Sequence, residues 1–158
     1  MEAAVQRDPT NASAWFELGV KQQENEREQK AIHALRRALE LDPTYLPAWL
    51  ALAISHTNDG NRIGAYEAVQ EWIQRNDHYH AAVETYQGTH ALNEYATQSE
   101  RFDHLIDCLI SMARSDTSGE IDADIQVALA ILMNTNEASC TIAIYVRLLM
   151  RCSGPAGV

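Results

Sequence analysis

"DPTNASAWFEL" (Asp8–Leu18) is followed 34 residues later by "DPTYLPAWLAL" (Asp42–Leu52). The Asp-Pro pair, the Ala-Trp pair and the final leucine all recur at this one offset, and Ala31 recurs at the same offset as Ala65. Coincident offsets at one period indicate a repeat architecture in which each unit packs against its neighbours. A single helical hairpin with unrelated neighbours would not produce them.

The residue types within the period specify the repeated unit. Thirty-four residues is the length of the tetratricopeptide helix–turn–helix. With Ala12 as the first position, the small residues Gly19, Ala31 and Ala38 fall at positions 8, 20 and 27, where two antiparallel helices approach closely. Pro43 follows the second helix, which it cannot continue. The sequence therefore predicts an all-α fold, an incomplete tetratricopeptide-repeat solenoid that coils as a right-handed superhelix.

Four segments are predicted along the chain. Residues 2–77 hold the N-terminal tetratricopeptide repeats (a partial repeat and two complete ones), 78–117 an irregular helical or hinge segment, 118–137 the first helix of a later repeat, and 138–158 an atypical tail that we expect to be poorly ordered. The register predicts that the chain starts inside a repeat. Trp72 occupies position 27, which is small in the first repeat, so the second repeat is expected to pack differently at its end.

Composition limits the classes of partner. The chain has 22 acidic and 12 basic residues, a formal charge of −10, which argues against a nucleic-acid or anionic-membrane surface and suits basic ligands. No apolar stretch approaches the roughly 18 residues of a membrane span, and the N-terminus resembles neither a signal peptide nor a transit peptide. Cys108, Cys140 and Cys152 are odd in number and lack CxxC spacing, which is typical of a reducing compartment. A cytoplasmic protein is expected.

Residues suited to enzyme chemistry are sparse. The histidines include one close pair, His78 and His80, but an i, i+2 pair does not share a helix face and no metal-binding helix motif accompanies it. The sequence contains no glycine-rich phosphate loop and no Gly-x-Ser-x-Gly elbow. The carboxylates of Glu24, Glu26 and Glu28 are typical of a solvated helix end. We therefore expect no enzyme activity, no cofactor and no metal site.

Helical repeats bind ligands along the concave surface formed by the first helix of each pair. Positions 2, 5, 9, 12 and 13 face that groove. In the second repeat these are Pro47, Leu50, Ile54, Thr57 and Asn58, and in the later repeat position 12 is Asn134. An asparagine amide donates and accepts at once, so it can hold a peptide group whatever the side chain. A local alternative stays open: Asn58 could cap its helix, and Thr57 could bond to a carbonyl one turn earlier.

Three stretches resemble the receptors for the type-1 peroxisomal targeting signal, the peroxin-5 family. They are "ENEREQKAIHALRRALEL" (24–41), "SHTND" (55–59) and "DADIQVALAILMNTNE" (122–137). The resemblance implies a cytoplasmic import receptor that shuttles to the peroxisomal membrane and meets docking proteins there. It also implies that the ligands are cargo proteins ending in a Ser-Lys-Leu-type tripeptide.

The resemblance further implies roles for five residues of this chain. Thr57, Asn58 and Asp59 correspond to a Thr-Asn-acid stretch that lies near the basic side chain of the signal. Ile54 would form an apolar wall one helical turn earlier. Asn134 corresponds to a groove asparagine of the kind that holds the peptide backbone and the terminal carboxylate, with charge-assisted bonds to the anion.

The sequence departs from the family after Glu137. "ASCTIAIYVRLLMRCSGPAGV" (138–158), rich in β-branched residues, stands where a second helix and further repeats are expected. Half of a groove, with weak or no binding of the signal peptide, is therefore predicted. The alternative is a generic tetratricopeptide scaffold or a co-chaperone-like module that captures other tails, either hydrophobic ones or acidic ones held by carboxylate clamps. Such clamps use Lys and Arg along the groove, whereas Gln23 and Glu24 occupy these positions in the first repeat.

Overall fold

Helices account for most of the chain that the structure describes. The computed structural model describes residues 2–116 and 122–135, and the predicted tail at 138–158 lies outside them. In chain order the helices are α1 (Glu2–Arg7), α2 (Ala12–Glu24), α3 (Glu28–Leu41), α4 (Leu46–Asn58), α5 (Arg62–Arg75), α6 (His80–Thr89), α7 (Gln98–Ser115) and α8 (Ala123–Thr135), with a 3-10 turn at Asp77–Tyr79. Within these residues there is no β-strand, so the predicted all-α fold is confirmed.

The Asp-Pro-Thr turns explain why each repeat begins where it does. Before α4, the Asp42 carboxylate accepts a hydrogen bond from the Thr44 backbone N–H at 2.9 Å. The Trp49 indole N–H donates back to the Pro43 carbonyl at 2.9 Å. The same two bonds are found at the turn before α2. There, the Thr10 backbone N–H donates to the Asp8 carboxylate at 3.1 Å, and the Trp15 indole N–H donates to the Pro9 carbonyl at 2.9 Å. The sequence repeat is therefore also a repeat of hydrogen bonds.

The small residues of the repeat lie where helices approach each other closely. A Cβ atom placed on Gly19 of α2 would lie 2.6 Å from Cγ of Leu35 on α3, which is too short for a van der Waals contact. Ala31 and Ala38 of α3 are completely buried, as is Ala65 of α5. The Leu35 side chain packed against Gly19, and the complete burial of the alanines, leave little room for larger side chains at these positions.

The second repeat packs differently at its end from the first, as predicted, because the large side chain of Trp72 is buried there. Its exposed fraction is 1%, whereas the smaller Ala38 fills the equivalent position with 0% exposed. The hydrophobic core that contains Trp72 continues through Tyr79 into the helices that follow. On α5, Tyr66 contacts Phe102 of α7 with ring centroids 4.9 Å apart.

The segment between the complete repeats and α8 consists largely of two helices. Residues 78–117, predicted as an irregular or hinge segment, contain α6 and α7, which pack against each other. Thr97 and Glu100 form a capping box that begins α7. The division of the chain into domains stays a prediction.

The last described helix returns to the second repeat. Helix α8 packs against α4, α5 and α7. The guanidinium Nε of Arg62, at the start of α5, donates to the backbone carbonyl of Thr135 at the end of α8. Because Arg62 follows α4 by only a few residues, the C-terminal ends of α4 and α8 lie on the same side of the array.

Candidate functional site

Three of the five predicted site residues lie at the C-terminal end of α4. Thr57 and Asn58 are its last two residues, and Asp59 follows in a right-handed conformation. Gly60 then takes a φ of 74°, a left-handed conformation that reverses the chain at little steric cost. Ile54, one turn earlier, is 37% exposed although it is a large apolar residue in an otherwise buried stretch.

Thr57 has a hydroxyl group whose hydrogen is already engaged. Its Oγ1 donates to the backbone carbonyl of Ala53 at 2.9 Å, one turn earlier in the helix. The local hydrogen bond that the sequence left open is therefore present. Because a hydroxyl has one donor and two acceptor lone pairs, Thr57 can accept a hydrogen bond from a ligand but cannot donate one while this bond persists.

Asn58 and Asp59 both contact the start of α3. Asn58 Nδ2 donates to Oε1 of Glu28 at 2.9 Å, and Gln29 Nε2 donates to Oδ1 of Asp59 at 2.7 Å. The interpretation of Glu28 as part of a solvated helix end was wrong, because its side chain is half-buried and hydrogen-bonded across the repeat. Sequence reasoning missed this pair, although both partners lie inside the motifs that carried the family resemblance.

These hydrogen bonds leave acceptors at this turn, where Asn58 and Asp59 are exposed and Thr57 is half-buried. Thr57 retains hydroxyl lone pairs, Asn58 retains its carbonyl oxygen Oδ1, and Asp59 retains the carboxylate oxygen Oδ2. A surface of this kind suits a ligand group that is rich in donors and positively charged, such as an ammonium. Asn58 keeps one further amide hydrogen with which to bind a carbonyl.

Gln23 occupies a groove position of the first repeat, but the sequence assigned no function to it. Its Nε2 donates to the carbonyl of Ala51 at 2.7 Å and to the hydroxyl of Ser55 at 2.7 Å. Ser55 is fully buried, so Gln23 ties the end of α2 to the middle of α4. This contact joins the first repeat to α4 of the second within two helical turns of Thr57.

Asn134, the fifth predicted residue, lies near the end of α8 and is exposed. The bond from Arg62 to the next residue, Thr135, holds this helix end close to the α4–α5 turn. Val127, two turns earlier on α8, is 37% exposed. It falls at a groove-facing position in the tetratricopeptide register, which could have identified it from the sequence.

A buried histidine immediately precedes Thr57 in α4. His56 is 3% exposed. Burial lowers its pKa below 6.5, and the nearby Arg36 contributes to the same shift, while Asp59 and Glu67 oppose it. The imidazole is therefore neutral near pH 7 and adds no positive charge next to the acceptors of Thr57, Asn58 and Asp59.

Two cavities lie elsewhere on the molecule. One, of about 570 Å³, lies among α3, α4 and α5 and is lined by Trp49, His56 and Arg75, among others. The other, of about 270 Å³, lies among α5, α6 and α7. None of the five predicted residues lines either cavity. This does not weaken the site, because helical repeats bind extended chains on open concave surfaces instead of in enclosed cavities.

The described residues were also compared with the requirements of a metal site and of a membrane span. They contain no group of three or more His, Cys, Asp or Glu side chains arranged to hold a metal ion. Among the helices described, none is both long enough and apolar enough to cross a membrane.

Comparison with known proteins agrees with the repeat and with the resemblance. Residues 12–45 match the tetratricopeptide repeat family. The chain is 39% identical over 137 residues to a PEX5-related protein of Rattus norvegicus, a match that covers 85% of this chain and 23% of that protein. It is 38% identical over 137 residues to the human PEX5-related protein, covering 85% of this chain and 22% of that protein. It is 34% identical over 137 residues to the peroxisomal targeting signal receptor of Yarrowia lipolytica, a match that covers 86% of this chain and 23% of that protein. The chain thus spans about a quarter of the length of these relatives.

Proposed function

Because this chain is homologous over most of its length to PEX5-related proteins and peroxisomal targeting signal receptors, we propose that it is a peptide-binding, non-enzymatic component of peroxisomal protein import. Its ligands are the C-terminal targeting peptides of cargo proteins, of the Ser-Lys-Leu type. The observation that carries the proposal is the cluster of hydrogen-bond acceptors that Thr57, Asn58 and Asp59 present at the end of α4.

The lysine of such a peptide supplies what this cluster lacks. Its ammonium has three donors and no acceptor, so it can be bound by the Thr57 hydroxyl and the outer carboxylate oxygen of Asp59. Asn58 Oδ1 accepts from a peptide N–H, and Asn134 on α8 binds the backbone further along the chain. The exposed side chains of Ile54 and Val127 form apolar walls for the remaining side chains of the signal.

The charge of the whole chain supports the same class of ligand. A formal charge of −10 attracts peptides with basic residues and raises their encounter rate at low ionic strength. A carboxylate clamp for acidic tails would need lysine or arginine on the groove, whereas the residues at the end of α4 are neutral or acidic. In the cell, the proposal places the chain in the cytoplasm and at the peroxisomal membrane, where docking proteins would be its partners.

The experiment is a titration of the ¹⁵N-labelled chain with a decapeptide ending in Ser-Lys-Leu, followed by heteronuclear NMR. We expect saturable shifts at residues 54–59 and 127–135, with a dissociation constant above about 1 μM, equivalent to less than about 8 kcal/mol of binding free energy. The same peptide with a C-terminal amide should bind more weakly, because the carboxylate is then absent.

Two outcomes would contradict the proposal. The first is an absence of shifts at these residues at millimolar peptide. The second is preferential binding of a peptide with an acidic C-terminal tail, which would favour the generic or co-chaperone-like scaffold. A control peptide in which alanine replaces the signal lysine separates the contribution of the acceptor cluster from that of the terminal carboxylate.

A further inference from the structure

The orientation of the Asn58 amide decides what this residue can offer to a ligand. A primary amide has a donor side and an acceptor side that differ only by a rotation of the terminal group. Glu28 Oε1 lies 2.9 Å from Asn58 Nδ2. An ionised carboxylate only accepts hydrogen bonds, so it selects the rotamer that points Nδ2 towards α3 and leaves Oδ1 for the other side.

Glu28 is well placed to hold that rotamer. It is the first residue of α3, where a carboxylate is favoured by the positive end of the helix dipole. The residue is half-buried, and its second oxygen, Oε2, is enclosed without a hydrogen-bond partner among the described residues. One residue further along each element, Gln29 bonds to Asp59 at 2.7 Å. The two parallel bonds fix the end of α4 against the start of α3.

We propose that Glu28 is a positioning residue for ligand binding: by accepting from Asn58 Nδ2, it presents Asn58 Oδ1 to the N–H donors of the bound peptide. This inference rests on the proposed function. It assigns a role in the binding machinery to a residue of the preceding repeat, which lies outside the groove helix and does not itself touch the ligand.

A double-mutant cycle on peptide affinity tests whether Glu28 acts through Asn58. We expect Glu28→Ala to weaken binding of the Ser-Lys-Leu peptide by about fivefold to tenfold, the range for one net hydrogen bond. In a background of Asn58→Ala, the same substitution should change affinity by less than about twofold, because its target is gone. Glu28→Gln, which keeps an acceptor oxygen but removes the charge, should recover part of the loss.

The matched control is Gln29→Ala, which breaks the neighbouring bond to Asp59 but leaves the Glu28–Asn58 contact in place. If Glu28 acted only by joining the two helices, both variants would have the same effect on affinity. Equal losses would therefore overturn the proposal. An undiminished effect of Glu28→Ala in the Asn58→Ala background would also overturn it, since Glu28 would then act independently, for instance through its charge.

A measurement without ligand separates this inference from the proposed function. The side-chain NH₂ resonances of Asn58 should shift in Glu28→Ala and stay in place in Gln29→Ala. If the wild-type chain binds no targeting peptide, the proposed function fails, whereas the amide resonances still report whether Glu28 orients Asn58. Unchanged resonances in Glu28→Ala would show that it does not.

Discussion

The side-chain amide of Asn61 donates to the imidazole Nδ1 of His56 across 3.3 Å. The direction of this bond is fixed from the far side, because Asn61 is the N-cap of α5 and its Oδ1 accepts from the Gly64 N–H at 2.9 Å. Its Nδ2 must therefore face the ring. Nδ1 of His56 is then an acceptor, which requires the neutral imidazole with its proton on Nε2.

Lowering the pH should destabilise the fold through His56. Burial, and then Arg36, lower its folded-state pKa below 6.5, so the unfolded chain binds the proton more tightly. The stability that His56 contributes is present above about pH 6.5 and is lost as the pH falls through the folded-state pKa. The free energy of unfolding of the wild type, from urea denaturation, should drop between pH 7 and 5 more steeply than that of His56→Gln. The exposed His78→Gln is the control; if it flattens the profile equally, the assignment to His56 is wrong.

Gly19 and Gly88 should respond in opposite directions to alanine. A Cβ atom on Gly19 would lie 2.6 Å from Leu35 Cγ, whereas nothing lies within 4 Å of one on Gly88. Gly19→Ala is expected to destabilise the chain by about 1–3 kcal/mol through overpacking. Gly88→Ala, in helix α6, should stabilise it by about 0.5–1 kcal/mol. Chemical denaturation measures both, and stabilisation by Gly19→Ala would show that α2 and α3 are not in close contact there.

Arg62 should control how firmly α8 is held. Its guanidinium donates to the Thr135 carbonyl, where a cation also stabilises the helix C-terminus. Arg62→Met should cost about 1–2 kcal/mol and raise hydrogen–deuterium exchange in residues 123–135. Arg37 pairs with Glu40 on the exposed surface of α3, so Arg37→Met should leave exchange in α8 unchanged. Equal exchange in residues 123–135 of the two variants would show that Arg62 does not hold α8 in place.

Cys108 should be unreactive in the native state. It is 2% exposed, and burial raises the pKa of its thiol to about 11. Since the thiolate is the nucleophile, reaction with Ellman's reagent at pH 8 should be slower than for a free thiol by at least about 100-fold. The measurement uses the Cys140→Ser, Cys152→Ser double variant, first native and then in guanidinium chloride. Rapid reaction before denaturant is added would mean that α7 opens readily.

The helical repeat was predictable because its signal is local and redundant. Asp42, Pro43 and Trp49 each have a counterpart 34 residues earlier, and each takes part in the same hydrogen bond in both repeats. Gly19 was identified as a close-approach position from its place in the register alone. Such features join residues of one helical hairpin or of the short turn that leads into it, whose geometry the sequence spacing fixes.

The contacts of the candidate site were not predictable in the same way. The sequence placed Thr57 and Asn58 in the last turn of a helix and Asp59 just after it, and the structure agrees on that position. That this helix lines a ligand groove stays a prediction. The sequence could not show that Glu28 and Gln29 reach Asn58 and Asp59, because those residues are about 30 positions away in the chain and their spacing matches no local motif.

By itself, the sequence determined the repeat, the small residues between paired helices and the candidate face of α4. Its relation to known receptors was also readable from short motifs. Only the tertiary structure decided which atoms of Asn58 and Asp59 remain available, because Asn58 donates to Glu28 and Asp59 accepts from Gln29, both at the start of α3. The tertiary structure also showed that α8 lies against the second repeat. The sequence could not show this, because the bond between Arg62 and Thr135 joins residues 73 positions apart. The sequence period predicts where each helix lies in the repeat. The hydrogen-bond partners of its side chains depend on how the helices pack against each other.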